Sequence, residues 1–242
     1  MKEGETLFKK MRHSALFTKS KPVILDVAMA AALGAGAWLL ISPALKRQSN
    51  LKKQEELIQS IAADSAYVRN TLPASHSSEK MADESVVDDL SELPIVNTLP
   101  PIEGVGLLYI DSIDSVLPVT NTATAADLDI AVGHVPETAP IGSEGNAVIA
   151  GHRSYAYGEY FNRLGELTVG DLIRYEDKSG ISFTYSVYEM LVIEPEDPAV
   201  FEHAAGERIL TLFTCTPIDT ATHRLLVRAR LINTSYLGED IE

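Results

Sequence analysis

Hydrophobic and polar positions divide the chain into three stretches with different periods. Val23 to Leu45 is apolar except for Asp26 and Ser42, and no polar residue recurs at helical spacing to make a wet face. At ~1.5 Å per residue this run is long enough for a ~30 Å hydrocarbon core, and it exceeds the ~7–15 apolar residues of a cleaved signal. An uncleaved transmembrane helix over 22–45 is therefore expected. Leu51, Ile58, Ile61, Ala62 and Val68 then fall roughly on one helical face, which predicts that the helix continues as a stalk. The following stretch, TLPASHSSEKMADESVVDDLSELPIVNTLPP, is polar, acidic and bounded by prolines, the composition of a linker.

From Leu99 onward the apolar residues come in short runs separated by turn signals. GLLYIDSI, NAVIAG, DLIRYE, ISFTYSVYEMLVI, RILTLFTC and HRLLVRARLI read as strands, and Asp177-Lys178-Ser179-Gly180 reads as a hairpin turn. One short helix is expected around Gly158 to Leu164. Many strands with few helices predict an all-β barrel or sandwich rather than a doubly wound sheet. The organisation is then a tail (1–21), a transmembrane anchor (22–45), a stalk helix and acidic linker (46–98), a β-rich domain (99–234) and an acidic tail (235–242).

Charge adds an orientation. The chain carries 20 Lys or Arg against 34 Asp or Glu, a net of −14, but ten of the basic residues and only three acids lie in residues 1–53. Lys2, Lys9, Lys10, Arg12, Lys19 and Lys21 precede the apolar run, against Lys46, Arg47, Lys52 and Lys53 after it. The excess on the N-terminal side places that end in the cytoplasm and the β-rich domain outside. A domain this acidic repels phosphate backbones, so nucleic acid is excluded as a partner. The same charge is expected to repel anionic lipid headgroups, with the stalk holding the domain off the bilayer.

In an oxidising exterior the single cysteine, Cys215, has no internal disulfide partner. It ends the run Ile209, Leu210, Leu212, Phe213, and so is either small core filler or a nucleophile. Thr214, Thr216 and Pro217 around it mark a strand ending in a polar turn. Arg224 heads the next strand, where a cation lowers a thiol pKa or holds an oxyanion. A thiol nucleophile also needs a base. Of six histidines, His13 and His76 lie in the tail and linker, His203 in a surface turn, and His223 on the face opposite Arg224. His134 and His152 remain. His152 follows a strand and a glycine directly; His134 sits in a longer loop, where a structural hydrogen-bonding role is an equal bet. Tyr155, Tyr157, Tyr160 and Phe161 are expected to pack near His152. No metal or organic cofactor is expected: HExxH, paired cysteines and EF-hand spacing are absent from the sequence, and Gly142, Gly145 and Gly151 form no phosphate loop.

Together NAVIAGHR, TLFTC and the arginine of THRLLVR resemble the sortase family of Gram-positive transpeptidases. The family's TLxTC signature falls on Thr211 to Cys215, its histidine on His152 and its arginine on Arg224. Gly133, His134, Thr138, Pro140, Gly142, Gly145 and Asn146 match the approach to the histidine, and the match spans residues 104–232. The resemblance implies a closed eight-stranded β-barrel with thiol and imidazole at one mouth. It implies that Cys215 attacks the Thr–Gly carbonyl of an LPxTG-like sorting signal, that His152 serves the departing and incoming amines, and that Arg224 holds the substrate backbone or oxyanion. Thr214, Thr216 and His134 are the candidate substrate-binding residues. The implied partners are surface proteins or pilins carrying the signal, with a cell-wall precursor or pilin lysine as amine acceptor. GHR and TCTP look like pilin-polymerising members. The lack of an aspartate–proline–aromatic lid triplet in residues 70–104 and of a second span favours attachment of surface proteins. A hydrolase on the same barrel and a non-enzymatic binding domain are the remaining alternatives.

Overall fold

A computed structural model describes residues 21–71, 102–156, 158–203, 205–236 and 239–241, with side chains inside the long N-terminal helix described at 35, 36 and 38–66. The described chain forms two units, residues 1–51 and 52–242. In the first, helix α1 (Lys21–Thr71) begins and carries Pro43 in its interior, with Trp38, Leu39, Leu40, Ile41 and Leu45 exposed. Most of the apolar run expected to span the membrane lies outside the described side chains. Among the described residues no helix is long and apolar enough to cross a membrane. The tail 1–20 and most of the linker, including residues 73–98, also lie outside the described residues.

Among the described residues the second unit is built on nine strands: β1 (Gly104–Ile110), β2 (Ser115–Thr120), β3 (Val132–His134), β4 (Gly145–Ala150), β5 (Leu172–Asp177), β6 (Ile181–Ile193), β7 (Arg208–Thr216), β8 (His223–Tyr236) and β9 (Glu239–Ile241). They hydrogen-bond in the order β6-β5-β1-β2-β3-β4-β7-β8-β9, and pairing of β6 with β8 closes the first eight into a barrel. Closure removes the unpaired edges that an open sheet would expose. The pairs β2–β3 and β4–β7 are parallel and the others antiparallel. Period-2 alternation fills the interior with Leu108, Ile110, Val119, Ile149, Ile173, Leu210, Leu212 and Val227, all fully or almost fully buried. The expected hairpin forms at Asp177–Gly180, where the Asp177 carboxylate accepts from the Ile181 N–H at 2.8 Å and Gly180 takes φ +81°.

Three local expectations are corrected. The run GLLYIDSI does not stay extended: β1 stops at Ile110, Asp111–Ile113 form a 3-10 turn, and Asp114 at φ 50° reverses the chain into β2. The helix expected at 158–164 is a set of turns followed by a 3-10 segment at Leu164–Glu166. A helix does form at Ala125–Leu128 (α2), where Thr124 and Asp127 make a reciprocal capping box. Residues 239–241 of the expected acidic tail pair with the end of β8.

The C-terminal part of α1 belongs to this unit. Ile61 is fully buried, Ser65 Oγ donates to the Asp177 carbonyl at 3.2 Å, and Lys178 Nζ lies 3.6 Å from Asp64 and 3.9 Å from Glu103. Gly104 makes the approach possible, since a Cβ there would stand 2.5 Å from Ile61 Cδ1. Gly104→Val is therefore expected to push the helix off the start of β1 at a cost of about 1–3 kcal/mol. Denaturant unfolding would read the loss, and faster amide exchange confined to 57–66 would locate it.

Candidate active site

Which way each strand residue points follows from the two apolar clusters. Leu210 and Leu212 of β7 and Leu225 and Val227 of β8 belong to the barrel interior. Phe213 of β7, Leu226 of β8 and Val148 of β4 belong to a second cluster on the outer face, with Val200 of the β6–β7 connection. Side chains alternate, so Cys215, two beyond Phe213, and Arg224, two before Leu226, also face outward. The register pairs them: Cys215 lies directly opposite Arg224, and Arg224 opposite Ile193 of β6.

On the other side of β7, Ala150 of β4 is level with Phe213, and the Gly151 N–H donates to the Phe213 carbonyl at 3.1 Å. His152 and Cys215 each lie two residues beyond this last pair. Ile193, Arg224 and Cys215 thus form one row across three neighbouring strands. The row below it is Leu191, Leu226, Phe213 and Ala150. Cys215 thus stands next to the end of β7, on the outer wall of the barrel.

The surroundings hold this row in place. A Cβ on Gly151 would stand 2.6 Å from the Phe161 ring and 2.8 Å from Val132, so only glycine lets the chain pass between them before His152. Thr214 is buried, and its hydroxyl donates to the Gly151 carbonyl at 2.8 Å. Arg153 Nη1 donates to Thr216 Oγ1 at 2.7 Å and its Nε to the Asn162 carbonyl at 3.4 Å, joining the histidine segment to the residue after the thiol. Arg224 Nη1 donates to the carbonyls of Ala221 and His223, at 3.0 and 2.9 Å.

Two of the expected substrate contacts are thereby redirected. Thr214 lies behind the site, inside the barrel, and Thr216 is engaged by Arg153. His134 ends β3 level with Ile149, three residues short of His152. Its Nε2 lies 2.9 Å from the Ala139 carbonyl and 3.3 Å from Thr138 Oγ1, so the imidazole braces its own loop. His223, expected to turn away from the thiol, contacts Glu194 at 3.4 Å.

Of the aromatic residues expected near His152, Tyr160 meets its ring edge-on with centroids 6.5 Å apart, and Phe161 is fully buried beneath. Burial, then the charges of Glu159 and Asp129, push the Tyr160 phenol up to about 12, so it stays neutral in any ordinary assay. Tyr155 is exposed and donates to the Asp219 carbonyl at 3.2 Å, while Tyr157 lies outside the described residues. Arg153 is the contact that sequence reading missed, although its place in GHR beside the histidine was a signal. Among the described residues no group of three metal-ligating side chains gathers. An open groove of about 790 Å³, lined by Phe183, Arg208, Arg230 and Leu231 among others, lies at the opposite end of β7 and β8. Seven residues of strand, roughly 23 Å, separate it from the thiol, so chemistry at Cys215 has no use for it.

Comparison with known proteins adds to the geometry. The family model for the Sortase domain matches residues 108–232, just over half the chain. The chain is 33% identical over 116 residues to sortase D of Bacillus subtilis, covering 47% of this chain and 55% of that one. It is 27% identical over 176 residues to sortase A of Streptococcus agalactiae, covering 69% of each. A solved Clostridium perfringens sortase D5 transpeptidase superposes with a TM-score of 0.53 at 27% identity, covering 76% of this chain and 99% of that one. The chain thus spans little more than half the length of the Bacillus relative.

Proposed function

The chain belongs to the sortase family of cysteine transpeptidases, and from that premise we propose that it is a membrane-anchored enzyme attaching surface proteins through an LPxTG-like sorting signal. The observation that carries this reading is the outward row in which Cys215 stands opposite Arg224, with His152 two residues past the end of β4, the strand that flanks β7 on its other side. The Cys215 thiolate adds to the Thr–Gly carbonyl, and the oxyanion that develops lies beside the Arg224 guanidinium. Collapse expels the glycine amine, which takes its proton from His152, and leaves a thioester on Cys215. His152 then accepts a proton from the incoming amine as it attacks, and the thiolate departs. One peptide bond is exchanged for another, so no ATP is required.

The half-buried Leu191, Ile193 and Phe213 next to the thiol offer an apolar shelf for the leucine–proline end of the signal. Membrane attachment is supported by the apolar run 23–45 and the exposed Trp38 to Ile41 on α1.

The test is intact-mass spectrometry of the full chain in detergent with an LPxTG-type peptide and triglycine. An acyl adduct on Cys215 and a peptide–triglycine product are expected, both absent in Cys215→Ala, with no transfer product in His152→Ala. Cleavage without transfer to any amine would instead make the chain a peptidase. A strong preference for a pilin lysine over other acceptors would move the reading to pilus polymerisation. A thiol that forms no adduct with any sorting peptide would overturn the proposal.

A further inference from the structure

The β6–β7 connection, residues 194–207, folds back over the outer wall and seats Val200 on the second apolar cluster. It is held there by buried polar side chains that the reaction does not use. Asn146 Nδ2 donates to the carbonyls of Val200 at 2.9 Å and Glu202 at 3.2 Å, and its Oδ1 accepts from Thr211 Oγ1 at 2.7 Å. Arg228 Nη2 donates to the Ala199 carbonyl, while its Nη1 pairs with Glu189 at 2.9 Å. Farther along, the Gly206 N–H donates to Glu144 at 2.8 Å.

By register these anchors lie below the chemistry. Arg228 is opposite Thr211 on β7 and Glu189 on β6, two rows down from Cys215 and Arg224. Four residues of strand, roughly 13 Å, separate Arg228 from the thiol row, with the buried Leu226 and the half-buried Phe213 between them. Arg228 is only 7% exposed, and its Nε is buried with no hydrogen-bond partner among the described residues. Burying a guanidinium carries a desolvation cost that a hydrophobe of the same size avoids. Here its two engaged nitrogens join a strand carboxylate to a loop carbonyl.

We propose that Arg228 and Asn146 are positioning residues: they lock residues 199–202 over the outer wall and so set the depth of the apolar shelf that receives the leucine–proline end of the acyl donor. This rests on the transpeptidase reading for its ligand, but the clamp can be read without it. Loosening the clamp weakens ground-state binding of the apolar residues and leaves the thiol row, two rows away, intact. The effect therefore falls on KM and on side-chain discrimination rather than on kcat.

The experiment compares full-length wild type with Arg228→Met, Arg228→Lys and Asn146→Ala, using a Leu-Pro-x-Thr-Gly peptide, its Ala-Pro-x-Thr-Gly counterpart and triglycine. In Arg228→Met and Asn146→Ala, KM for the leucine peptide is expected to rise about tenfold, with kcat within about threefold of wild type. The leucine-over-alanine preference shrinks several-fold, and Arg228→Lys, which keeps one of the two contacts, falls between. Amide exchange at 198–203 quickens, while the pH profile of Cys215 alkylation by iodoacetamide overlays that of wild type. Should Arg228→Met not fold, Asn146→Ala tests the other half of the clamp. Faster exchange at 198–203 with unchanged KM and preference would overturn the proposal, as would an alkylation profile that shifts along with KM. Unchanged exchange in all variants would show that these side chains do not hold the loop. A wild type that neither cleaves nor transfers either peptide would overturn the functional reading instead.

Discussion

Cys215→Ala is expected to lower peptide transfer by at least about ten-thousandfold and to abolish the acyl adduct, while leaving the folded barrel intact. The expectation rests on where the sulfur sits. Cys215 faces outward at the end of β7 and is only half-buried, so trimming it to a methyl opens no core cavity. Its strand is fixed by residues on the opposite face, Leu212 and Thr214, which the substitution leaves alone. Stability should therefore move by no more than about 0.5 kcal/mol, as for other surface changes. Thermal unfolding beside a single-turnover assay separates the two effects. If Cys215 were buried filler, the result would invert: a clear loss of stability with no activity to lose. Cys215→Ser sharpens the comparison, because it keeps size and polarity while removing the readily ionised sulfur. It should be nearly as inactive as alanine.

The all-β class was legible because six of the eight barrel strands are apolar runs bounded by Gly, Pro, Asn or Asp, whereas closure into a barrel came only from the family resemblance. β2 and β3 were missed for physical reasons. β2 carries Pro118, which reads against a strand, yet it pairs with β1 through its neighbours and places Pro118 opposite Leu107. β3 is three residues long, too short to show a period, and exists because β2 and β4 flank it. The helix expected at 158–164 failed because Gly158 at φ +81° and Tyr160 at φ 49° bend that segment into turns beside His152. The capping box at Thr124 and Asp127 was readable and went unread.

The site divides in the same way. Cys215, Arg224 and His152 could be chosen from local sequence, since each lies within two residues of a strand end. Bringing the His152 segment beside the strand of Cys215 depends on β4 pairing in parallel with β7, a contact between segments some sixty residues apart that periodicity does not encode. The same long-range pairing explains the roles that sequence reading gave wrongly or not at all. Thr214 looked like a substrate contact because it flanks the thiol, but alternation sends it inward to Gly151. Asn146 was singled out only within the approach to the histidine and Arg228 not at all, and their partners at 199–202 are visible only once the β6–β7 connection folds back.

The second large effect is expected at Arg224. Arg224→Met should slow adduct formation by about a hundred- to a thousandfold, the range for losing one oxyanion donor. The guanidinium has two tasks in this geometry. Nη1 spends both of its N–H groups on the carbonyls of Ala221 and His223, which fixes the start of β8 after the left-handed turn at Ala221. The three other N–H groups have no protein partner among the described residues and belong to the side chain paired with Cys215. One rigid fork thus braces its own turn and, in the proposed mechanism, keeps donors for the tetrahedral oxyanion. Lysine keeps the charge but is a single flexible ammonium and cannot do both at once. Arg224→Lys should therefore recover less than tenfold of the loss. Rapid-quench mass spectrometry of the acyl adduct gives the rate, and the peptide dependence separates transition-state from ground-state effects. A fall in the maximal adduct rate at unchanged half-saturation identifies oxyanion stabilisation. A rise in half-saturation alone would mean that Arg224 holds the peptide backbone. Full rescue by lysine would mean that charge, not the fork, is what the thiol row requires.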